Sequence, residues 1–279
     1  MKKNKLAPFS LKGKTVLLTG GAGFFGKYFS KAVLDQGADR LIVIDRPGTG
    51  LDFKKELGKK YGKSKLDWCE VDLYDHKNTE TSYKKILKKV KKIDVLINNA
   101  FDFSLKTGFN DPSGKLENAT HDQLKASFES GIYWAIHATQ ILGYPMKKRG
   151  AGSIINVCSM YGVVVPGPDL YEGTDKFNPP GYSMAKAGLL QFTKYSASFL
   201  SPEVRVNAVS PGAIPNLEGK TYNSITSKNP VLERLYKKIL LKRMGHPTDL
   251  TGAIIFLASD SSSYITGQNI IIDGGLTVT

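Results

Sequence analysis

Tyr182 and Lys186 stand four residues apart in Pro180-Gly181-Tyr182-Ser183-Met184-Ala185-Lys186, at the opening of an apolar run with helical periodicity. On a helix that spacing brings both side chains to one face. A phenol with an ordinary pKa near ~10 is a poor proton carrier at neutral pH, and a neighbouring ammonium favours its anion. The chemistry implied is proton transfer to or from a hydroxyl or carbonyl. Ser159, at the carboxyl end of a strand-like run over 152–159, is where an alcohol could hold a substrate oxygen beside Tyr182; its plainer reading is a turn residue.

A second constellation lies near the start of the chain. The β-branched run at 14–19 leads into Gly20-Gly21-Ala22-Gly23-Phe24-Phe25-Gly26 and then a helical pattern over 27–36. Glycines at 20, 23 and 26 between a strand and a helix allow a tight turn, close approach to a pyrophosphate and close helix packing, with the helix N-terminus toward the phosphates. Asp45 closes the next strand, about twenty residues on, where a carboxylate accepts hydrogen bonds from both hydroxyls of an adenosine ribose and repels a 2′-phosphate. The expectation is NAD over NADP, softened by Arg46. Asp72, with Leu73 beyond it, is placed to meet the adenine.

The elements that must position these residues alternate. Strands are expected at 14–19, 40–45, 66–71, 95–97, 152–159, 204–209 and 268–273, and helices at 27–36, 51–61, 79–90, 121–148 (interrupted near Pro145), 182–200 and 249–259. That order predicts an α/β fold, a doubly wound parallel sheet of about seven strands with helices on both faces and ligands at the strands' carboxyl ends. No repeat or linker breaks the chain, so residues 1–279 read as one domain. Segments 101–120, 160–180 and 213–246 read as irregular, substrate-side loops.

Composition narrows the classes. With 279 residues and 41% apolar content the chain can bury a sizeable core. It contains no apolar run of membrane-spanning length, and residues 1–5 lead toward a strand without an apolar secretory stretch, so a soluble cytoplasmic protein is expected. Cys69 and Cys158 lack metal-type spacing and read as buried thiols, with no metal expected. The net charge of +14 comes from lysines spread along polar helix faces, without the aromatic-interleaved basic segments of nucleic-acid binders. It suits an anionic small molecule and argues against nucleic acid.

Taken together, Thr19-Gly20-x-x-Gly23-x-x-Gly26, Asp45, Asp72, Asn98-Asn99-Ala100, Ser159, Tyr182-x-x-x-Lys186, Asn207 with Pro211-Gly212, and the tail from Thr266-Gly267-Gln268 to Asp273-Gly274-Gly275 resemble the short-chain dehydrogenase/reductase family over nearly the whole chain. The resemblance implies that Ser159 positions substrate, that Tyr182 is the general acid/base, and that Lys186 lowers the tyrosine pKa and binds the nicotinamide ribose. It places Asn99, Ala100, Pro211, Gly212 and the backbone of Ile214 against the coenzyme. It also implies a homodimer or homotetramer through helices 121–148 and 181–200. Three departures stand out. The glycine spacing is similar to that of the longer, sugar-nucleotide-modifying branch. The family's helix-borne relay asparagine is replaced by Phe128, leaving Ser127 or Ser130 as stand-ins. The stretch from Ser159 to Tyr182 is about ten residues longer than usual. Ser159-Met160-Tyr161-Gly162 with Tyr171-Glu172-Gly173-Thr174 is similar to oxidoreductases of flagellin modification and legionaminic acid-type sugar synthesis, which implies a polar or anionic sugar substrate met by Asp169, Glu172 and Lys176. Alternatives are a 3-oxoacyl-type reductase and a dinucleotide-binding protein without turnover.

Overall fold

The computed structural model describes residues 8–216 and 229–279. Seven strands form one sheet, all neighbours parallel: β1 (Thr15–Thr19), β2 (Arg40–Asp45), β3 (Leu66–Glu70), β4 (Val95–Asn98), β5 (Gly152–Val157), β6 (Val204–Pro211) and β7 (Asn269–Ile272), in the spatial order β3-β2-β1-β4-β5-β6-β7. The order reverses between β1 and β4. There the connections leave in opposite directions and open a crevice at the carboxyl ends.

The central strands are apolar on both faces because both are covered. Val16, Leu18, Leu41, Val43, Val95 and Ile97 pack on one side, with α1 (Phe24–Asp35), α2 (Leu51–Tyr61) and α9 (Pro247–Ala258). Leu17, Ile42, Ile44 and Leu96 point the other way, into a core shared with α3 (His76–Val90) and α7 (Pro180–Leu200). On that side the chain 121–149 is helical throughout, as α4 (His121–Phe128), α5 (Trp134–Ala138) and α6 (Tyr144–Arg149) joined by π-helical turns Glu129–Tyr133 and Thr139–Gly143. The break expected near Pro145 is absent: the proline sits in the first turn of α6, and the preceding π-turn absorbs the register change that a missing N–H requires.

Two boundaries differ from the expected ones for local reasons. α3 begins at His76, where the Asp75 carboxylate accepts from Asn78 N at 3.0 Å. α1 begins at Phe24, still inside the glycine turn. The region expected as irregular over 213–246 contains α8 (Pro230–Lys238), capped by Asn229 and strongly amphipathic, while its residues 217–228, like residues 1–7, lie outside the described residues. Among the described residues, no helix is long and apolar enough to cross a membrane.

Candidate active site

A cleft of about 810 Å³ runs along the carboxyl ends of the strands, from the glycine turn to Tyr182. It is lined by Gly20, Gly23, Phe24, Phe25, Asp45, Arg46, Asp72, Leu73, Asn99, Ala100, Ser159, Tyr182, Pro211, Gly212 and Ile214, fifteen of the residues picked out by sequence. Gly26 and Lys186 do not line it. Gly26 is buried under the turn: a Cβ there would collide with the carbonyl of Gly20 and stand 2.7 Å from Gly21 Cα, so this glycine allows the close packing of α1 on the turn. Gly20 has φ +65°, and a side chain on it would meet Ala100 Cα at 2.9 Å.

Side chains hold the turn in shape. Asn99 Nδ2 donates to the carbonyls of Thr19 (3.1 Å) and Gly20 (2.9 Å), and Thr19 Oγ1 accepts from the backbone of Asn99 and Ala100. The amide of Asn99 is therefore spent on the turn, although the residue borders the cleft. Asp45 accepts from Ala22 N at 2.8 Å through one oxygen and from Arg46 N and Thr49 Oγ1 through the other, tying β2 to the turn. Gly23 caps α1 without any side-chain acceptor, which leaves first-turn N–H groups of that helix facing the crevice. A narrow backbone cradle, a helix N-terminus and an acid at the end of β2 fit the phosphates and ribose of a dinucleotide.

At the other end, α7 places Tyr182 and Lys186 on the face toward β5. Tyr182 is half-buried and its hydroxyl contacts Ser159; burial pushes the phenol up to about 12, with Ser159 opposing. Lys186 is 3% exposed, donates from Nζ to Val157 O at 2.9 Å, and lies 5.8 Å from the centroid of the Tyr182 ring. Burial lowers it to about 8. The expected effect of the ammonium on the phenol is thus not the dominant one in the protein itself, because removal from water acts on both groups and favours both neutral forms. Ser159 Oγ also accepts from Tyr161 N at 3.1 Å, which fixes the serine at the start of the next turn.

Phe128 does not take the relay position inward: it is 40% exposed and borders a surface groove with His76 and Tyr133. Ser127 and Ser130 donate to the carbonyls of Thr107 (3.3 Å) and Ala126 (2.9 Å), so neither hydroxyl is directed to Lys186. The segment 160–180 also departs from expectation. Asp169, Glu172 and Lys176 are exposed and do not line the cleft, and Asp169 pairs with Lys238 at 2.9 Å. Instead Leu170 packs with Met160, Leu235, Ile239, Met244 and Leu276 in a small core of its own. Cys158 is buried at the cleft's edge, its thiol pushed up to about 12 by burial, whereas Cys69 is only half-buried.

This geometry joins the comparison with known proteins. A family model described as enoyl-(acyl carrier protein) reductase matches residues 25–277. The chain is 31% identical over 268 residues to the sorbose reductase of Schizosaccharomyces pombe, covering 96% of this chain and 97% of that protein, and 33% identical over 272 residues to the 3-oxoacyl-[acyl-carrier-protein] reductase of Thermotoga maritima, covering 96% and 99%. A short-chain dehydrogenase of Leptospira borgpetersenii, solved with bound NAD+, superposes with a TM-score of 0.80 at 29% identity, covering 99% of this chain and 98% of that one. The chain belongs to the short-chain dehydrogenase/reductase family. As a short-chain dehydrogenase/reductase it is an oxidoreductase of CH–OH groups using NAD or NADP.

Segment 101–120, expected as a substrate-side loop of this short-chain dehydrogenase/reductase, does reach the cleft, through residues that the sequence did not single out: Phe101, Asp102, Phe103, Ser104 and Lys106 all line it. The rings of Phe101, Phe103 and Phe109 surround Tyr182 at 5.1, 5.8 and 5.4 Å between centroids. Three phenylalanines within nine residues directly after a strand-end Asn-Asn-Ala were the available signal. Tyr74 and Trp134, edge to face at 5.0 Å, close the far end with no comparable sequence mark.

Proposed function

We propose that the protein interconverts a secondary alcohol and a ketone on a sugar or amino-sugar, with NAD as coenzyme. The observation that carries the chemistry is the convergence of Ser159, Tyr182 and Lys186 at one end of a cleft whose other end is the glycine turn. When bound there, a nicotinamide dinucleotide supplies or accepts the hydride. Ser159 holds the substrate oxygen beside Tyr182, and the phenol gives that oxygen a proton in reduction or takes it in oxidation. Lys186, held by Val157 O behind the tyrosine, keeps a positive charge available as the phenolate forms. The preference for NAD is supported by Asp45, whose carboxylate lies at the ribose end and would repel a 2′-phosphate.

The sugar reading is supported by the motifs Ser159-Met160-Tyr161-Gly162 and Tyr171-Glu172-Gly173-Thr174 and by the likeness to a sorbose reductase. Surface-glycan or flagellin modification is the setting those motifs suggest, in the cytoplasm, with the whole chain acting as one domain. A homodimer or homotetramer is supported by aromatic side chains exposed on the outer helices, Tyr133 and Tyr144 on one and Tyr195 and Phe199 on α7. The test is coenzyme reduction and oxidation with NAD(H) and NADP(H) on hexoses, hexitols, amino-sugars and a 3-oxoacyl thioester. Turnover of carbohydrates with NAD(H) is expected. Preference for the thioester with NADPH would instead favour the 3-oxoacyl reductase, and coenzyme binding without turnover a non-catalytic protein.

A further inference from the structure

Lys186 and Tyr182 have an apolar side. The ring centroid of Phe101 lies 5.0 Å from Lys186 Nζ and 5.1 Å from the Tyr182 ring, set edge-on at 83°. Behind it stands the π-helical turn Glu129–Tyr133. Gly131 of that turn is so close that a Cβ would come 3.2 Å from the Phe101 ring and 2.6 Å from Ala185 Cβ on α7. Phe101 therefore fills the space between the two helices at the level of the lysine. Phe109 and Phe103 continue the apolar wall around the same tyrosine.

Polar groups that could pass through this wall point elsewhere. Ser127 and Ser130 donate to backbone carbonyls, and Asp102, adjacent to Phe101, accepts from Tyr74 Oη and Ser104 Oγ at 2.9 and 3.0 Å. The titratable groups that act on the pair lie on the opposite side. Cys158, at the end of β5, bears on both Lys186 and Tyr182, and Tyr161 bears on Tyr182. Ser159 contacts the phenol from the cleft.

We propose that Phe101 is a positioning residue for the catalytic pair: its ring seals Lys186 and Tyr182 against water from the α4–α5 side, so that protons reach the phenol from the mouth of the cleft, and the seal sets the pH at which the pair works. This rests on the acid/base reading of Tyr182 but concerns a residue that does not transfer the proton. The ring acts in two opposing ways, attracting the ammonium through its face and excluding water from it. Burial is the largest cause acting on Lys186 and lowers it, and the Phe101 ring is part of what buries the ammonium. Opening the seal moves the two groups in opposite directions, the lysine up and the tyrosine down, because water favours both charged forms.

The experiment is an NMR titration of protein carrying [ε-¹³C]lysine, free of substrate, comparing wild type with Phe101→Ala, Phe101→Val and Phe101→Leu. One lysine resonance titrating near pH 8, absent in Lys186→Met, is expected for the wild type. It moves up by about one pH unit or more in Phe101→Ala, by less in Phe101→Val, and least in Phe101→Leu, which keeps most of the apolar bulk. In turnover, the alkaline rise of kcat/KM for alcohol oxidation moves to lower pH in the same order, while the coenzyme Kd changes by less than about twofold. If Phe101→Ala does not fold, Phe101→Val reads the same sign. An unmoved lysine resonance in a folded Ala or Val variant overturns the proposal. A moved resonance with an alkaline rise of kcat/KM that stays in place upholds the seal and rejects the acid/base reading of Tyr182, so the two failures are distinguishable.

Discussion

The glycine-turn end of the cleft is built from backbone and the tyrosine end from side chains, and the two ends carry different constraints. At the first, Gly20 and Gly26 leave no room for a Cβ and Gly23 only a tight fit, and Asn99, Thr19 and Asp45 hold the turn through side-chain hydrogen bonds. At the second, three phenylalanine rings from one loop and a buried lysine meet Tyr182 from segments far apart in the chain. A backbone cradle tolerates almost no substitution and accepts one kind of ligand. A side-chain wall can be re-shaped by point changes, so substrate choice is expected to reside there.

The largest test of this contrast is Tyr182→Phe. It is expected to lower kcat/KM by about 10²–10⁴ and to leave the coenzyme Kd within about twofold, read by steady-state kinetics and fluorescence titration. Equal losses in both would place the tyrosine in the binding half and dissolve the distinction. The converse is Gly26→Ala, where the added methyl meets Gly20 and Gly21; a loss of about 1–3 kcal/mol in denaturant unfolding is expected, with weakened coenzyme binding. Unchanged stability would show that the turn yields.

A smaller effect on stability is diagnostic at Lys186. Its native pKa is lowered to about 8 while the unfolded chain's lies near ~10.4, so between these values the unfolded state binds more protons and stability rises with pH. Below about pH 8 the buried ammonium costs the fold its full penalty. Lys186→Met should therefore abolish turnover yet raise the Tm at pH 7, with the gain over wild type shrinking as pH climbs from 8 to about 10. A gain independent of pH would assign it to packing. Asp45→Ser is expected to shift the NADP-to-NAD ratio of kcat/KM by about tenfold to a hundredfold, since it removes the charge facing a 2′-phosphate. The smallest effect is expected at Arg234, whose Nη1 donates to Leu170 O at 3.0 Å: Arg234→Ala should raise substrate KM a few-fold, cost about 1 kcal/mol and leave coenzyme affinity alone.

Legibility followed the same division. The strand pattern, the glycine turn, Asp45 and the Tyr182–Lys186 pair were readable because each depends on local sequence: a short apolar run in a strand covered on both faces, a spacing of three to four on a helix, and a missing Cβ in a turn. The part taken by Phe101 was not readable, because its neighbours Gly131, Ala185 and Lys186 are 30 to 85 residues away and only the packing of α7 against the π-helical turn brings them together. The acids of 160–180 misled for the opposite reason. They look like substrate ligands in sequence, and in the fold they face solvent while the leucine between them turns inward.

The amino-acid order by itself determined a parallel α/β sheet with a dinucleotide cradle at its switch point and a phenol and an amine on one helical face, because backbone sterics and helical period act over a few residues. Tertiary structure alone decided which face of that pair stays dry, what walls the substrate and how far burial displaces the proton affinities of Tyr182 and Lys186, because exclusion of water depends on every group packed around a site, wherever it lies along the chain.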